Sequence, residues 1–174
     1  MKINIWQIII DHLDTLRTNA SKRMSLIDIV IFFGIPAFGG GLGYLGYVQI
    51  SKDFYNASIS FFGVFVALLL NFQVAAFGIY NRKRSPSEDE KTTYNQIQDM
   101  KIRKQLLKEI NSNISYLIVV SIFAITLFLI LYATENTGRV VAAMSWTIYI
   151  HFLLNLMMVV KRSHILFRKE YDET

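Results

Sequence analysis

Long apolar stretches alternate with short polar ones along most of this 174-residue chain. Four stretches, at about residues 26–48, 57–80, 114–134 and 140–160, are almost free of charge. Each is about 20 residues long, which is the length at which a helix crosses the hydrocarbon core of a bilayer. Soluble cores are built from shorter periodic segments. The pattern therefore predicts an all-α membrane protein with four transmembrane helices in two hairpins.

The polar segments divide the chain further. We expect an amphipathic N-terminal arm, a first transmembrane hairpin, a cytoplasmic basic helical connector, a second hairpin and a cytoplasmic tail. These correspond to residues 1–25, 26–80, 81–113, 114–161 and 162–174.

The N-terminal arm carries apolar side chains at helical spacing. Ile3, Trp6, Ile9, Leu13 and Leu16 recur three or four positions apart, with polar residues between them. This spacing predicts a helix with one apolar face. We expect it to lie at the cytoplasmic surface of the membrane or against a neighbouring subunit. A helix that docks on a different partner is the alternative.

The first apolar stretch is rich in glycine. Gly39 and Gly43 form a G-x-x-x-G pair and Gly46 continues the small-residue pattern, so we expect these glycines at a close helix–helix contact. A kinked or unwound segment that lines a cavity is the alternative, because Pro36 lies in the same stretch. Gly41, Gly43 and Gly46 also match G-x-G-x-x-G. No strand–turn–helix context surrounds them, so this match does not indicate a nucleotide site.

Four polar side chains fall inside the second and fourth stretches. Asn71 and Gln73 lie in the second, and His151 and Asn155 share one helix face in the fourth. We expect them to hydrogen-bond between helices, because an unpaired amide is costly in hydrocarbon. The alternatives are a polar pore lining and, for His151, a proton-sensing role.

Two ion pairs are expected at the ends of the spans. Asp28 is the acidic residue nearest to membrane depth, which makes it a functional candidate by default. Lys22 and Arg23 precede it closely, so a structural ion pair is the preferred interpretation. At the outer turn of the second hairpin, Glu135 and Arg139 are expected to pair.

The connector is the only long charged interior segment. Ser85, Pro86 and Glu88 form a helix-start signal, and the apolar register continues into the third span, which predicts one unbroken helix. Its basic face indicates cytoplasmic topology and contact with anionic lipid headgroups. The alternative is a docking surface for a soluble partner. Direct nucleic-acid binding is not indicated, because no basic–aromatic interleaving accompanies the face.

The distribution of positive charge sets the topology. Of the eighteen Lys and Arg residues, sixteen lie in the arm, in the connector or in the basic stretch that starts at Lys161, and only Lys52 and Arg139 lie in the short turns. Cytoplasmic segments carry the excess of Lys and Arg in membrane proteins. Both termini are therefore expected to be cytoplasmic.

The sequence contains none of the common catalytic or metal-binding motifs. The sequence has no Cys and no zinc-protease, Walker or nucleophile-elbow motif, and His12, His151 and His164 fall in separate segments. We therefore expect no enzyme, no cofactor and no metal. Transport is not indicated either, because only one span is interrupted by Gly and Pro.

The layout resembles the membrane subunit of the Kiwa antiphage defence system, the KwaA family. The features that carry the resemblance are the paired apolar stretches around residues 81–113, the basic tail from Lys161 and the overall size. The resemblance implies an oligomeric sensor in the bacterial inner membrane that detects phage-induced disturbance and holds a soluble DNA-binding partner on its cytoplasmic face. The expected docking residues are Lys101, Arg103, Lys104, Lys108, Arg168 and Lys169.

Two functional hypotheses follow from these patterns. The first is a non-enzymatic membrane sensor and scaffold that acts through a partner. The second is a pore-forming, holin-like effector, in which the glycine-rich span and the intramembrane polar residues would line the pore.

Overall fold

A computed structural model describes residues 4–16, 26–80 and 90–172, with side chains at all of these except residues 26, 28, 79–80, 90–99 and 169–172. Within these ranges the chain forms α-helices and one π-helical segment and contains no strand, so the predicted all-α class is confirmed. The helices are α1 Ile5–Thr15, α2 Leu26–Ile29, α3 Ile35–Tyr44, α4 Lys52–Tyr80, α5 Glu90–Thr134 and α6 Arg139–Asp172, and the π-helical segment Val30–Gly34 joins α2 to α3.

Three helices are long and apolar enough to cross a membrane. They contain the segments Lys52–Gly78, Met100–Thr134 and Arg139–Arg168, which correspond to the second, third and fourth predicted spans. The first predicted span forms a shorter, broken helix that ends at Tyr44 rather than near Val48. The fold is thus that of a helical protein with three helices of spanning length.

A proline explains the break between α2 and α3. Pro36 has no backbone N–H, so the carbonyl of Phe32 lacks the donor that an α-helix would place four residues later. The chain widens locally instead, and the N–H of Ile35 bonds the carbonyl of Val30, five residues back. Single π-helical turns of this kind are frequent at functional sites.

The connector and the third span form one helix. Helix α5 has 45 residues from Glu90 to Thr134 and shows no interruption. It is about 67 Å long at 1.5 Å per residue, roughly twice the thickness of a hydrocarbon core of about 30 Å. The sequence correctly predicts this continuity, while the expected cap around Ser85 lies outside the described residues.

The helices pack in antiparallel pairs. Helix α4 packs on α5, α3 on α6 and α5 on α6, while α1 lies against α5. We call the end of the bundle that holds Lys52 and Glu135 the turn end, and the end that holds Lys108 and Arg162 the basic end. Helix α1 lies at the basic end, where it contacts the part of α5 that precedes the third span.

Aromatic rings fill the space among α4, α5 and α6. Tyr55, Phe62, Phe128 and Phe152 are fully buried. The rings of Phe62 and Phe152 meet edge to face with centroids 5.1 Å apart, an arrangement worth about 0.5–1.5 kcal/mol beyond area burial. These rings and their neighbours fix the spacing of the three long helices toward the turn end.

Two of the three predicted packing glycines lie where α3 meets α6. A Cβ at Gly39 would collide with the end of Ile150, and one at Gly43 would lie 3.0 Å from the carbonyl oxygen of Ala142. Gly46 differs from the expectation. It lies beyond the end of α3 with φ +86°, and a Cβ there would meet nothing within 4 Å. Its role is to permit the left-handed backbone of the turn.

The prediction that Glu135 pairs with Arg139 at the outer turn is wrong. Glu135 pairs with Lys52, which starts α4, rather than with Arg139, which starts α6. The Tyr55 hydroxyl donates to the carbonyl of Asn136 in the same turn. The α5–α6 turn is therefore attached to α4 by an exposed ion pair and by a hydrogen bond from a buried side chain.

Candidate functional site

Helix α1 is attached to the bundle by a buried polar contact. His12 is 2% exposed, and its Nδ1 lies 2.8 Å from Oδ1 of Asn113 on α5. Thr15 donates to the same oxygen over 2.8 Å. The His12 ring also stacks on the ring of Tyr116, with centroids 3.9 Å apart and planes 1° from parallel. The contact face of α1 is thus centred on a histidine.

Burial sets the protonation state of His12. It lowers the pKa of the imidazole from 6.5 to about 4. The hydrogen bond to Asn113 opposes this shift, and the neighbouring His151 and Arg162 add to it. His12 is therefore neutral at physiological pH. Its Nδ1–H donates to the Asn113 oxygen.

Tyr116 connects His12 to the interior of the bundle. Its hydroxyl lies 2.7 Å from Nε2 of His151 on α6. The other ring nitrogen of His151, Nδ1, lies 3.1 Å from the carbonyl oxygen of Phe32. A carbonyl can only accept, so Nδ1 carries the proton and Nε2 accepts from the Tyr116 hydroxyl. The carbonyl that Pro36 leaves unpartnered is thereby satisfied.

Asn155 holds the His151 ring in place from one turn further along α6. Its Nδ2 donates to the backbone carbonyl of His151 over 2.7 Å and lies 3.2 Å from His151 Nε2. The two residues share a face, as expected. His151 makes the expected hydrogen bonds to other helices, whereas the bonds of Asn155 run to His151 on its own helix.

An ion pair closes the network at its basic end. Nε of Arg162 on α6 lies 3.4 Å from a carboxylate oxygen of Glu109 on α5, and both side chains are mostly buried. Arg162 also donates through Nη2 to the backbone carbonyl of Thr15 over 2.7 Å. One guanidinium thus joins α6, α5 and the last residue of α1. We call the set of residues His12, Thr15, Glu109, Asn113, Tyr116, His151, Asn155 and Arg162 the polar network.

The polar network is not fully satisfied. Nδ2 of Asn113 and Oδ1 of Asn155 are buried and have no hydrogen-bond partner among the described residues. A buried unpaired polar atom costs about 1–3 kcal/mol. The docked arrangement of α1 is therefore not stabilised as strongly as its contacts could allow.

The polar network couples the positions of the elements that it joins. Within the described part of the chain no three His, Asp or Glu side chains are grouped so that they could hold a metal ion. The network joins four structural pieces, namely α1, α5, α6 and the π-helical segment. A displacement of any one of them must break or lengthen a hydrogen bond to another.

A second candidate site is a groove at the basic end between α4 and α5. It has a volume of about 590 Å³. Its lining combines three exposed lysines of α5 with apolar surface and two amides. We call it the basic groove, and it is lined by Ala76, Phe77, Lys101, Lys104, Gln105, Leu107, Lys108 and Asn111.

The predicted docking residues do not form one surface. Lys101, Lys104 and Lys108 face the basic groove. Arg103 is half-buried, and Arg168 is exposed near the end of α6. The side chain of Lys169 lies outside the described residues.

The predicted intramembrane polar residues are also separated. Asn71 is exposed, and Gln73 donates to Asn111 and Ser115 on α5. His151, by contrast, belongs to the polar network on another face of α5. The expected ion pair of Asp28 lies outside the described side chains.

Most of the polar network was missed from the sequence. His12 is separated from Asn113 by 101 positions, and nothing in the sequence joins them. The available signal was a polar residue within an apolar helical stripe. His12 lies three residues after Ile9, and Asn113 lies three residues after the buried Ile110.

Fold and sites together define an all-helical protein with three helices of membrane-spanning length and a polar network at one end. No protein-family model, no curated protein and no solved structure matches the chain.

Proposed function

We propose that this protein is a non-enzymatic sensor and scaffold of the bacterial inner membrane, with α2, the π-helical segment and α3 together forming a fourth span. It assembles as a homo-oligomer, recruits a soluble cytoplasmic partner and, in line with its resemblance to the KwaA family, serves antiphage defence. The observation that carries the proposal is the polar network, because it ties the peripheral helix α1 to the broken helix α2–α3.

The sensing element in this proposal is the broken helix. Residues 26–44 form a helix about 28 Å long, slightly shorter than a typical hydrocarbon core of about 30 Å, and a π-helical turn interrupts it. A short helix responds to changes in bilayer thickness by tilting or shifting, at a modest cost. Such a shift moves the Phe32 carbonyl away from His151 and so perturbs Tyr116 and His12.

The scaffold element is the part of α5 that precedes the third predicted span, residues 114–134. From Glu90 to Asn111 it measures about 33 Å, and its base is the part that α1 contacts. A partner on this extension is in a position to detect whether α1 is docked. We propose that the partner binds the cytoplasmic parts of α5 and α6, around Arg103 and Arg168.

The pore hypothesis receives less support. Residues three or four apart share a face of a helix, while residues two apart do not. Gln73 bonds Asn111 and Ser115, whereas Asn113 and Tyr116 contact α1 and α6 from a different face of α5. The polar residues within the bundle bond to one another rather than line a common path.

The test uses the full chain with an affinity tag, expressed from its own genomic context. Membranes are solubilised in a mild detergent, and co-purifying proteins are quantified before and after phage challenge. The expected result is a stoichiometric soluble partner. The double substitution Arg103→Glu/Arg168→Glu should reduce its recovery, whereas Arg139→Glu at the turn end should not.

The sensing step is tested separately with Tyr116→Phe, which removes the bridge to His151. This variant should retain the partner but lose the response to phage. Tyr149→Phe is the matched control, because its hydroxyl bonds Ser58 over 2.8 Å outside the polar network. Absence of a soluble partner, together with phage plating that is unchanged by deletion of the gene, would overturn the proposal. Depolarisation of cells by the chain alone would favour the pore.

A further inference from the structure

Helix α4 has one face buried in the bundle and an opposite face that is exposed. Phe62, Leu69 and Ala76 recur every seven residues and are buried. The exposed residues on the opposite side follow one another at alternating intervals of four and three, which is the heptad spacing of two-stranded coiled coils. We call them the outer face of α4, and they are Ser60, Val64, Ala67, Asn71, Val74 and Gly78.

The outer face contains one amide, that of Asn71. The Asn71 side chain is exposed and has no hydrogen-bond partner among the described residues. Its neighbours differ in this respect. The Ser60 hydroxyl donates to the carbonyl of Asn56 on its own helix over 3.1 Å, and Gln73 bonds Asn111 and Ser115 on α5. The donors and the acceptor of the Asn71 amide are thus available to a group outside this chain.

The position of Asn71 along α4 makes a free amide unfavourable. Asn71 lies within the segment Lys52–Gly78, which is apolar enough to span a membrane, and it precedes Gly78 by about 10 Å along the helix axis. An asparagine side chain is too short to carry its amide over that distance to the headgroups. An amide without a partner is strongly disfavoured in hydrocarbon. The membrane location, which rests on the proposed function, therefore requires a partner for Asn71.

A second copy of the chain supplies the matching group. Copies inserted with the same topology have parallel α4 helices, and a twofold axis along the membrane normal brings each residue of the outer face to the depth of its own counterpart. An amide both donates and accepts, so it is complementary to another amide. We propose that the outer face of α4 is the interface of a parallel dimer of this chain, in which the two Asn71 amides hydrogen-bond each other. A single Asn in a heptad seam fixes the register of parallel two-stranded coils in the same way.

The exposed faces of the other spanning helices give less reason for association. Phe123 on α5 and Met157 on α6 are 61% and 70% exposed, but apolar side chains do not drive helices together in lipid, which is equally apolar. The exposed Thr126 on α5 donates to the carbonyl of Ile122 on its own helix over 2.9 Å. The free amide distinguishes the outer face of α4 from these surfaces.

The first experiment locates the contact by disulfide formation, because the chain has no cysteine of its own. Single-cysteine variants of the full chain are oxidised in cell membranes. Ala67→Cys, one turn before Asn71, should form a covalent dimer, because counterparts at a symmetric seam come within the Cα separation of about 7 Å that a disulfide requires. Met157→Cys is the control and should remain monomeric, since Met157 is exposed on α6 at a comparable distance from the turn end.

The second experiment tests the amide itself. Dimerisation is measured by energy transfer between labelled copies of the full chain in phosphatidylcholine vesicles, over a dilution series in lipid. Asn71→Leu should weaken dimerisation about tenfold, the effect of about two interhelical hydrogen bonds. Asn71→Gln keeps an amide and should retain most of the association. Gln73→Leu is the matched control, because it removes an amide of the same helix that bonds α5, and it should leave dimerisation unchanged.

The outcomes separate this interface from the proposed function. Energy transfer between copies without a disulfide at Ala67→Cys, or a disulfide at Met157→Cys in its place, would overturn the α4 interface and retain homo-oligomeric assembly. Equal association of the natural chain and Asn71→Leu would overturn the role of the amide. Absence of any association would overturn the interface together with the homo-oligomer. Recovery of the soluble partner and the response to phage are measured in cells and do not enter either readout.

Discussion

The imidazole of His12 lies flat on the phenol ring of Tyr116, with centroids 3.9 Å apart. This contact is part of what holds α1 on the bundle. Because burial lowers the pKa of His12 to about 4, the docked helix binds the neutral ring. An undocked α1 has a histidine with an ordinary pKa near 6.5. The titratable groups that face His12 from α6 are His151 and Arg162, and both oppose its protonation.

Acidification is therefore expected to release α1. Above pH 6.5 the docked and released states bind the same number of protons, and docking is unaffected. Between pH 6.5 and about 4 the released state binds one more proton, so docking weakens by about tenfold per pH unit. Below pH 4 the effect reaches its limit.

Release can be measured by thiol labelling, because the chain has no cysteine of its own. Leu16→Cys reports docking, since Leu16 is 7% exposed, and Trp6→Cys is the control, since Trp6 is 72% exposed on the same helix. The ratio of the two labelling rates removes the intrinsic pH dependence of the thiol. It should rise below pH 6.5, and His12→Gln should flatten the rise. A ratio that does not change with pH would contradict the assignment.

Arg162 is expected to be the most sensitive residue of the polar network. Arg162→Gln removes the partner of Glu109 and the donor to the Thr15 carbonyl. Breaking one side of a mostly buried pair costs about 3 kcal/mol, because the other charge stays buried and unpaired. We expect a loss of that order in the free energy of unfolding of the full chain in mixed micelles.

Two further variants separate the ion pair from other effects of Arg162→Gln. Lys161→Gln removes a charge from the neighbouring exposed position and should change stability by less than about 0.5 kcal/mol. Glu109→Gln combined with Arg162→Gln should recover part of the loss, since no charge is left unpaired. If the double variant is as unstable as the sum of the two single ones, the pair is not coupled.

The contact between α3 and α6 predicts opposite outcomes for two neighbouring glycines. Gly43→Ala places a methyl group 3.0 Å from a backbone oxygen of α6, which cannot move without shifting the helix, so we expect destabilisation by about 1–3 kcal/mol. Gly41→Ala meets nothing within 4 Å. It should be neutral or stabilising by up to about 1 kcal/mol, because Ala favours the helix. Thermal unfolding of both variants in one detergent makes the comparison. Equal behaviour would place the helix contact elsewhere.

The positions of the long helices were predictable because they depend on local properties. Uninterrupted apolar stretches locate α4, α5 and α6, and the register that continues through residues 90–114 indicates that α5 is unbroken. The extent of the first span was less predictable. Its glycines and Pro36 are compatible with either a straight packed helix or a broken one, and the choice depends on whether another helix supplies a donor to the freed carbonyl.

The partners of polar residues were not predictable for a related reason. Glu135 has two cations within reach, Arg139 in sequence and Lys52 in space. Only the arrangement of α4 beside the turn decides for Lys52. In the same way the apolar spacing of α1 predicts its helix, yet it suggests an apolar contact face. In the structure Trp6 is exposed, and the polar His12 is buried together with Leu16.

Pro36 deprives the carbonyl of Phe32 of its helical donor, and His151 donates to that carbonyl over 3.1 Å. Pro36→Ala restores a backbone N–H at position 36, so the segment is expected to return to regular α-helix. The variant gains a helical hydrogen bond but leaves Nδ1 of His151 without its acceptor.

Because these effects oppose each other, the net stability change of Pro36→Ala does not test the link between the π-helical segment and the polar network. The coupling energy between Pro36→Ala and His151→Phe does test it. His151→Phe should cost about 1–3 kcal/mol in the natural chain, since it leaves buried polar groups unpaired. It should cost less by about 1 kcal/mol when Pro36→Ala is already present, because the Phe32 carbonyl then has another donor. Tyr149→Phe with Pro36→Ala is the control pair and should be additive, as the Tyr149 hydroxyl bonds Ser58 on α4. Additive free energies of unfolding for both pairs would mean that the π-helical segment and the polar network are independent, and the proposed route from the membrane to α1 would then lack its first step.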